Sequence, residues 1–189
     1  MKINSTLEKL KSYLKELTIV TAGVLIALFI SNLKENNQAL EYYSTSIETI
    51  NNEVEANYSK LKGVVDTHIQ LLDTLNKYGE DNITIIDLFK RVNGLEFATL
   101  NNTGVEFYTR SKINLIDFEM MSTLYEMRFL SKIIDSKLNR LGDFVYSNMQ
   151  ADSKDSKTVI GLYLSDVLNT EKQLLQTYKS LIDEKNNNR

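Results

Sequence analysis

The sequence predicts an all-α fold, with one N-terminal transmembrane helix followed by an antiparallel helical bundle that contains one long heptad-patterned helix. Three observations predict it. "LTIVTAGVLIALFISNL", residues 17–33, carries no charge. Apolar residues then recur in steps of three and four from Leu40 to Leu75. No proline occurs in 189 residues, so nothing in the composition forces a helix to stop. The expected organisation is a basic amphipathic cytoplasmic segment at 1–16, a span at 17–33 and an outer helical bundle at 34–189.

Ile3, Leu7, Leu10, Leu14 and Leu17 repeat at helical spacing, with the lysines off that stripe. This segment either lies on the inner leaflet or runs straight into the span. Seventeen helical residues rise roughly 25 Å, the lower limit for crossing the hydrocarbon core. A core helix of a soluble protein keeps a polar face, whereas here only Thr18, Thr21, Ser31 and Asn32 interrupt the apolar surface. Hydroxyls in lipid can bond back to helix carbonyls. A cleaved signal peptide fits poorly, because sixteen residues precede the run and bulky Phe29 would sit at −3 if Ser31 were at −1.

Orientation follows from charge. Residues 1–16 carry Lys2, Lys9, Lys11 and Lys15 against Glu8 and Glu16, a net of +2. Residues 34–58 carry Lys34 against Glu35, Glu41, Glu48, Glu53 and Glu55, a net of −4. The positive-inside rule places the N-terminus in the cytoplasm and the bundle outside, in the periplasm of a bacterium with two membranes. Gly23, Ala27 and Ser31 stack three small side chains on one face, where a second membrane helix can approach closely. No ionisable residue lies inside the span, which argues against a proton-conducting role for this helix.

Leu40, Tyr43, Ile47, Ile50, Val54, Leu61, Val64, Leu71 and Leu75, with Asn57 and His68 between them, occupy a/d positions of five heptads. The stripe predicts a helix roughly 54 Å long, ended by Gly79 in a left-handed conformation. Its phase shifts from that of the span across "KENNQA", residues 34–39, where a bend or re-packing is expected. "TIIDLFKRVNG" places Thr84 and Asp87 at capping-box spacing and closes at Gly94. "LEFATLNNTG" is expected to be another short helix, closed by Asn102 and Gly104. A longer helix is expected from Asn114 to Met149, with Ile116, Met120, Leu124, Met127, Ile134, Leu138, Leu141 and Val145 on one face. "QADSKDSK", residues 150–157, reads as a solvated loop. A last helix is expected over Thr158–Glu184, striped by Ile160, Leu164, Val167, Leu174, Leu175, Tyr178 and Ile182, before a frayed tail. These stripes bury one another in a bundle within one chain, or residues 40–75 pair between chains as a parallel coiled coil.

"IVTAGVLIALFISNLKEN", followed by a helix with "IETINNEVEANYSKL", resembles a family of small bacterial single-span proteins of unknown function, whose span reads like "GILIALQINNWNE". Gly23, Leu25, Ile26, Ala27, Leu28, Ile30, Asn32 and Glu35 match, and Phe29, Ser31 and Leu33 depart. "FATLNNTGVEFYTRSKINLI" is similar to a second recurring block of that family. The resemblance implies topology and brings no activity.

Chemistry is sparse. With no Cys there is no disulfide, thiolate site or thiol nucleophile. One His without HExxH spacing gives no zinc site. His68, on the stripe, reads as a hydrogen-bonded packing residue, with a pH-sensing core position as the alternative. Asn57 reads as a register-setting polar residue. Tyr42 and Tyr43 join the core or touch headgroups. The carboxylates form no ExxH pair or EF-hand loop, the arginines are scattered, and no phosphate loop or nucleophile elbow occurs. A net charge of −3 argues against nucleic acid. No catalytic residue, cofactor or metal is expected. The expected partners are the lipid bilayer and other membrane or periplasmic proteins, a second copy included. The expected function is a non-enzymatic accessory or scaffold subunit of a cell-envelope complex, with a sensor-like bundle binding a small ligand as the alternative.

Overall fold

The computed structural model describes residues 3–92, 94–106 and 118–187, with the backbone alone for 3–10 and 12. The fold is all-α: the described residues hold four helices, α1 (Ile3–Tyr78), α2 (Ile85–Lys90), α3 (Phe118–Ser147) and α4 (Lys154–Asn187), with a further helical turn at 103–106 and no strand. The chain divides into two compact units, Met1–Thr45 and Ser46–Arg189.

The first unit is helical from Ile3 onward. The helix passes through residues 34–39 without a break. A change of side-chain phase does not interrupt the backbone ladder, and neither Pro nor Gly stands in that stretch. An eighteen-residue window reaches a mean hydropathy of 1.9 with none of it buried, so the helix is a candidate membrane span by length and composition. Thr18 donates its hydroxyl to the Leu14 carbonyl at 2.8 Å, satisfying it within the helix. Ser31 donates instead to Glu35 Oε1 at 3.4 Å. The side chains of Ile3, Leu7 and Leu10 lie outside the described residues.

The second unit is the bundle. Along α1 the stripe is buried from Ile50 on: Ile50, Val54, Leu61, Val64, Leu71 and Leu75 are all core. Tyr43 and Ile47 are half-buried, and Leu40 is 64% exposed and belongs to no core. Partners for the stripe come from the same chain. Glu55 meets Lys185, His68 meets Glu171, and Lys157 donates to the Asp81 carbonyl. Positions that rise on α1 fall on α4, so the two helices are antiparallel. Lys137 meets Asp166 at 2.7 Å, and the Phe144 and Tyr163 rings lie 5.7 Å apart, so α3 and α4 are also antiparallel. The bundle therefore runs up, up and down, and a path back down must join the top of α1 to the base of α3.

That path differs from the expected one. The predicted helix over 95–104 is not formed: residues 95–102 are non-helical, and one helical turn follows at 103–106. The reason is reach. The segment bonds to His68 at Glu96 and to Glu53 at Gly104. Those anchors are fifteen residues apart on α1, about 22 Å of helix. Eight residues in helical form would span roughly 12 Å, whereas an extended chain spans roughly 26 Å. Only the extended form spans the gap, so residues 95–104 lie as a strap antiparallel to α1.

Three further expectations need correction, and one, the start of α3, falls outside the described residues. Gly79 does end α1, but without a left-handed backbone; Gly94 is the described glycine with positive φ, at 96°. A Cβ at Gly79 would stand 3.0 Å from the Leu75 carbonyl oxygen, so the tight backbone approach favours glycine there. Residues 150–157 are not all solvated loop. The Ser153 hydroxyl accepts from the Ser156 amide at 3.3 Å, α4 begins at Lys154, and Lys157 is buried. At the other end α4 continues to Asn187, and Leu181 holds the core position expected of Ile182, which is half-buried like Leu175. Finally, α3 begins among the described residues at Phe118; Asn114 and Ile116 lie outside them, and Met120 is half-buried. The cap of α2 is as expected: Thr84 Oγ1 accepts from the Asp87 amide at 3.4 Å. The Ile85 and Ile86 amides then donate to the Ala151 and Met149 carbonyls at 2.9 and 3.0 Å, tying α2 to the α3–α4 turn.

Candidate functional site

The heptad stripes of the bundle are not wholly apolar. α1 carries Asn57 and His68 on its stripe, α3 carries Ser131, and α4 carries Glu171. All four are buried. A buried polar group is costly unless it is hydrogen-bonded, so each needs a partner. The strap supplies most of them, because extended main chain has N–H and C=O groups that a helix would have used internally.

At the first anchor, Glu53, beside the stripe, accepts from the amides of Thr103, Gly104 and Val105 at 2.8, 2.9 and 3.3 Å. This carboxylate caps the helical turn at 103–106 from across the bundle. A Cβ on Gly104 would lie 2.9 Å from Glu53 Oε2, so a side chain there would push the carboxylate off the amides it accepts from. Burial raises the Glu53 pKa above the ordinary carboxylate value; the three amide hydrogen bonds oppose the shift and the Glu106 charge adds to it.

One turn further along, Asn57 grips the strap at both main-chain groups of Asn101. Its Nδ2 donates to the Asn101 carbonyl at 2.6 Å, and its Oδ1 accepts from the Asn101 amide at 2.9 Å. Its Nδ2 also lies 3.5 Å from the Tyr178 hydroxyl. Burial pushes the Tyr178 phenol far up, the Asn57 hydrogen bond opposes this, and the Glu53 charge adds to it. Asn102 Nδ2 donates to Ser131 Oγ at 3.1 Å, which joins the strap to α3.

The third anchor is His68. Nδ1 lies 2.9 Å from Glu171 Oε2, and Nε2 lies 2.9 Å from the Glu96 carbonyl oxygen. Both side chains are fully buried. A carbonyl oxygen only accepts, so Nε2 carries a proton. A second proton lies between Nδ1 and the carboxyl oxygen, since otherwise two acceptors would face each other. His68 thus belongs to the buried packing class, with a carboxyl partner the sequence reading did not name. Glu171 Oε1 has no hydrogen-bond partner.

This seam is poorly arranged for catalysis. The His68 ring nitrogens are both engaged and sealed from solvent, so the ring has no nitrogen to offer a substrate. Glu53 is likewise occupied by three amides. Among the described residues no three His, Cys, Asp or Glu side chains gather as metal ligands do. What the seam does is fasten a main-chain segment to α1 and α3, with α4 joined to the same α1 side chains through Tyr178 and Glu171.

The remaining predicted residues lie elsewhere. Gly23, Ala27 and Ser31 sit in the first unit and are exposed, and a Cβ on Gly23 would meet nothing within 4 Å. Tyr42 and Tyr43 are half-buried. Glu53 and Glu171 were missed as partners. For Glu171 the signal was present: Ile160, Leu164, Val167, Leu174, Tyr178 and Leu181 leave one a/d position open, and Glu171 fills it, whereas Glu53 lies beside the α1 stripe and gave none.

No protein-family model matches this chain, and no curated protein or solved structure is similar to it.

Proposed function

We propose that this chain is a non-enzymatic, single-span protein of the bacterial inner membrane, with its N-terminus in the cytoplasm and its bundle in the periplasm, acting as an accessory or scaffold subunit of an envelope protein complex. The observation that carries the reading is the exposure of residues 17–33 on every face. A helix roughly 10 Å across and 25 Å long presents about 800 Å² of lateral surface. Monomeric soluble proteins leave largest apolar patches of roughly 300–600 Å². Lipid covers such a surface without any further protein. The lysine bias before the run and the carboxylates after it support the orientation. Glu53, Asn57, His68 and Ser131 of the bundle interior hold the strap, which supports a binding body over a reaction centre.

Affinity purification of the full-length chain in mild detergent tests this. One stoichiometric envelope protein is the expected result. Recovery of the chain with a retained small molecule and no protein would instead favour a ligand-binding sensor, and recovery of the chain alone as a monomer would sink both.

A further inference from the structure

The strap is fastened at Glu96 and Asn101, and between these anchors its main chain is open. Phe97, Ala98, Thr99 and Leu100 make no main-chain hydrogen bond to any described residue. Their side chains alternate: Phe97 and Thr99 are exposed, Ala98 and Leu100 half-buried. That period of two is the signature of extended chain, in which N–H and C=O groups point sideways, along the bundle surface. Beside them lies a groove of about 450 Å³, walled by 97–100 on one side and by Asp135, Leu138 and Asn139 of α3 on the other. Leu138 forms an apolar floor. Asp135 is exposed and makes no ion pair or hydrogen bond among the described residues.

We propose that this groove receives an extended peptide segment of a partner protein, which pairs with residues 97–100 as a second strand and sets a Lys or Arg against Asp135. Three features select this occupant. An open strand edge of about 13 Å, held straight by anchors at both ends, is a ready template for strand addition, because its ordering entropy is already lost in folding. The apolar floor takes one side chain of the incoming strand. The free carboxylate takes a cation two residues away on the same face. The inference rests on the protein-binding reading above and names where and how that binding occurs.

The test uses the full-length chain in lipid nanodiscs, with a random twelve-residue peptide library displayed on phage as the probe. Selected peptides should carry Lys or Arg two positions from an apolar residue. N-methylation at alternate amides should weaken the best peptide about tenfold or more, and methylation at the intervening amides should not, since only one edge of a strand pairs. Asp135→Lys should weaken it about tenfold or more while leaving the melting of the chain unchanged, because Asp135 is exposed. A selection that yields no binder, binding indifferent to Asp135→Lys, or binding indifferent to the position of methylation would overturn the proposal. A partner recovered in mild detergent that binds the Asp135→Lys chain equally well would sink the groove and spare the protein-binding reading. The absence of both partner and peptide would sink the two together.

Discussion

The His68–Glu171 pair gives the most direct test of how the bundle is held. Its side chains are fully buried, 2.9 Å apart, and one carboxyl oxygen has no partner. Glu171→Leu removes an acceptor of similar volume and leaves the ring facing an apolar wall. His68→Leu leaves a buried carboxyl group with no partner on either oxygen and frees the part-buried Glu96 carbonyl. Breaking such a pair from one side costs about 3–5 kcal/mol, whereas replacing both members by apolar residues is often neutral or stabilising. Each single variant is therefore expected to lose about 3–5 kcal/mol, and the double variant to lie within about 1–2 kcal/mol of the parent. The coupling between the positions is then several kcal/mol. Urea unfolding of residues 35–189, followed by helical circular dichroism, reads this from the midpoint if the slope is unchanged. Domains of this size hold roughly 5–15 kcal/mol in all, so each single variant should lose a large share of the stability. Additive losses, or single losses under about 1 kcal/mol, would mean that the pair is not the closed, buried unit described above.

Glu53 provides a pH test with a definite sign. Its native pKa is raised from 4.5, so the native state holds this proton more tightly than the unfolded chain does. Its contribution to stability is therefore greatest below 4.5 and falls as pH rises through the native value; Glu53→Gln should flatten that part of the stability–pH profile, and an unchanged slope would contradict the burial argument. Gly104→Ala puts a methyl group 2.9 Å from Glu53 Oε2 and should lower stability by about 1–3 kcal/mol, whereas Gly63→Ala, with nothing within 4 Å, should not. A periplasm-active reporter fused after Arg189 should work, and activity of a cytoplasmic reporter alone would reverse the topology. Replacing Gly23 and Ala27 with Leu should weaken helix association in bilayers by on the order of 1 kcal/mol, and an unchanged dimer fraction would leave a plain anchor.

What the sequence made legible was what repeats. The uncharged run, the α1 stripe and the α3 and α4 stripes all carry the helical period over many residues, and burial follows them closely from Ile50 to Leu181. The helix starts set by one or two residues were read less evenly. Thr84 before Asp87 was recognised as a cap, but Ser153 before Ser156 was lost in "DSKDSK", whose charges look like those of a solvated loop. The strap is hidden from the sequence for a different reason. "LEFATLNNTG" has no strong local preference against a helix, and Gly104 resembles a helix stop. What decides its conformation is the 22 Å of α1 between His68 and Glu53, a distance that no local window contains.

That distance was nevertheless written into the other helices. A bundle made only of helices has little use for Asn57, His68, Ser131 and Glu171 on its buried faces, since neighbouring helices have already paired their own main-chain groups. Side chains of that kind inside a core imply either one another or a main chain with open groups. His68 and Glu171 answer each other once, and His68 then has a second nitrogen to satisfy. Asn57 has both an acceptor and donors, and one main-chain residue offers both complements, which is how it meets Asn101. Polar positions on three separate stripes thus point to a fourth element that is not a helix, lying between them. Glu53, Asn57 and His68, placed in order along α1, give its direction and its length.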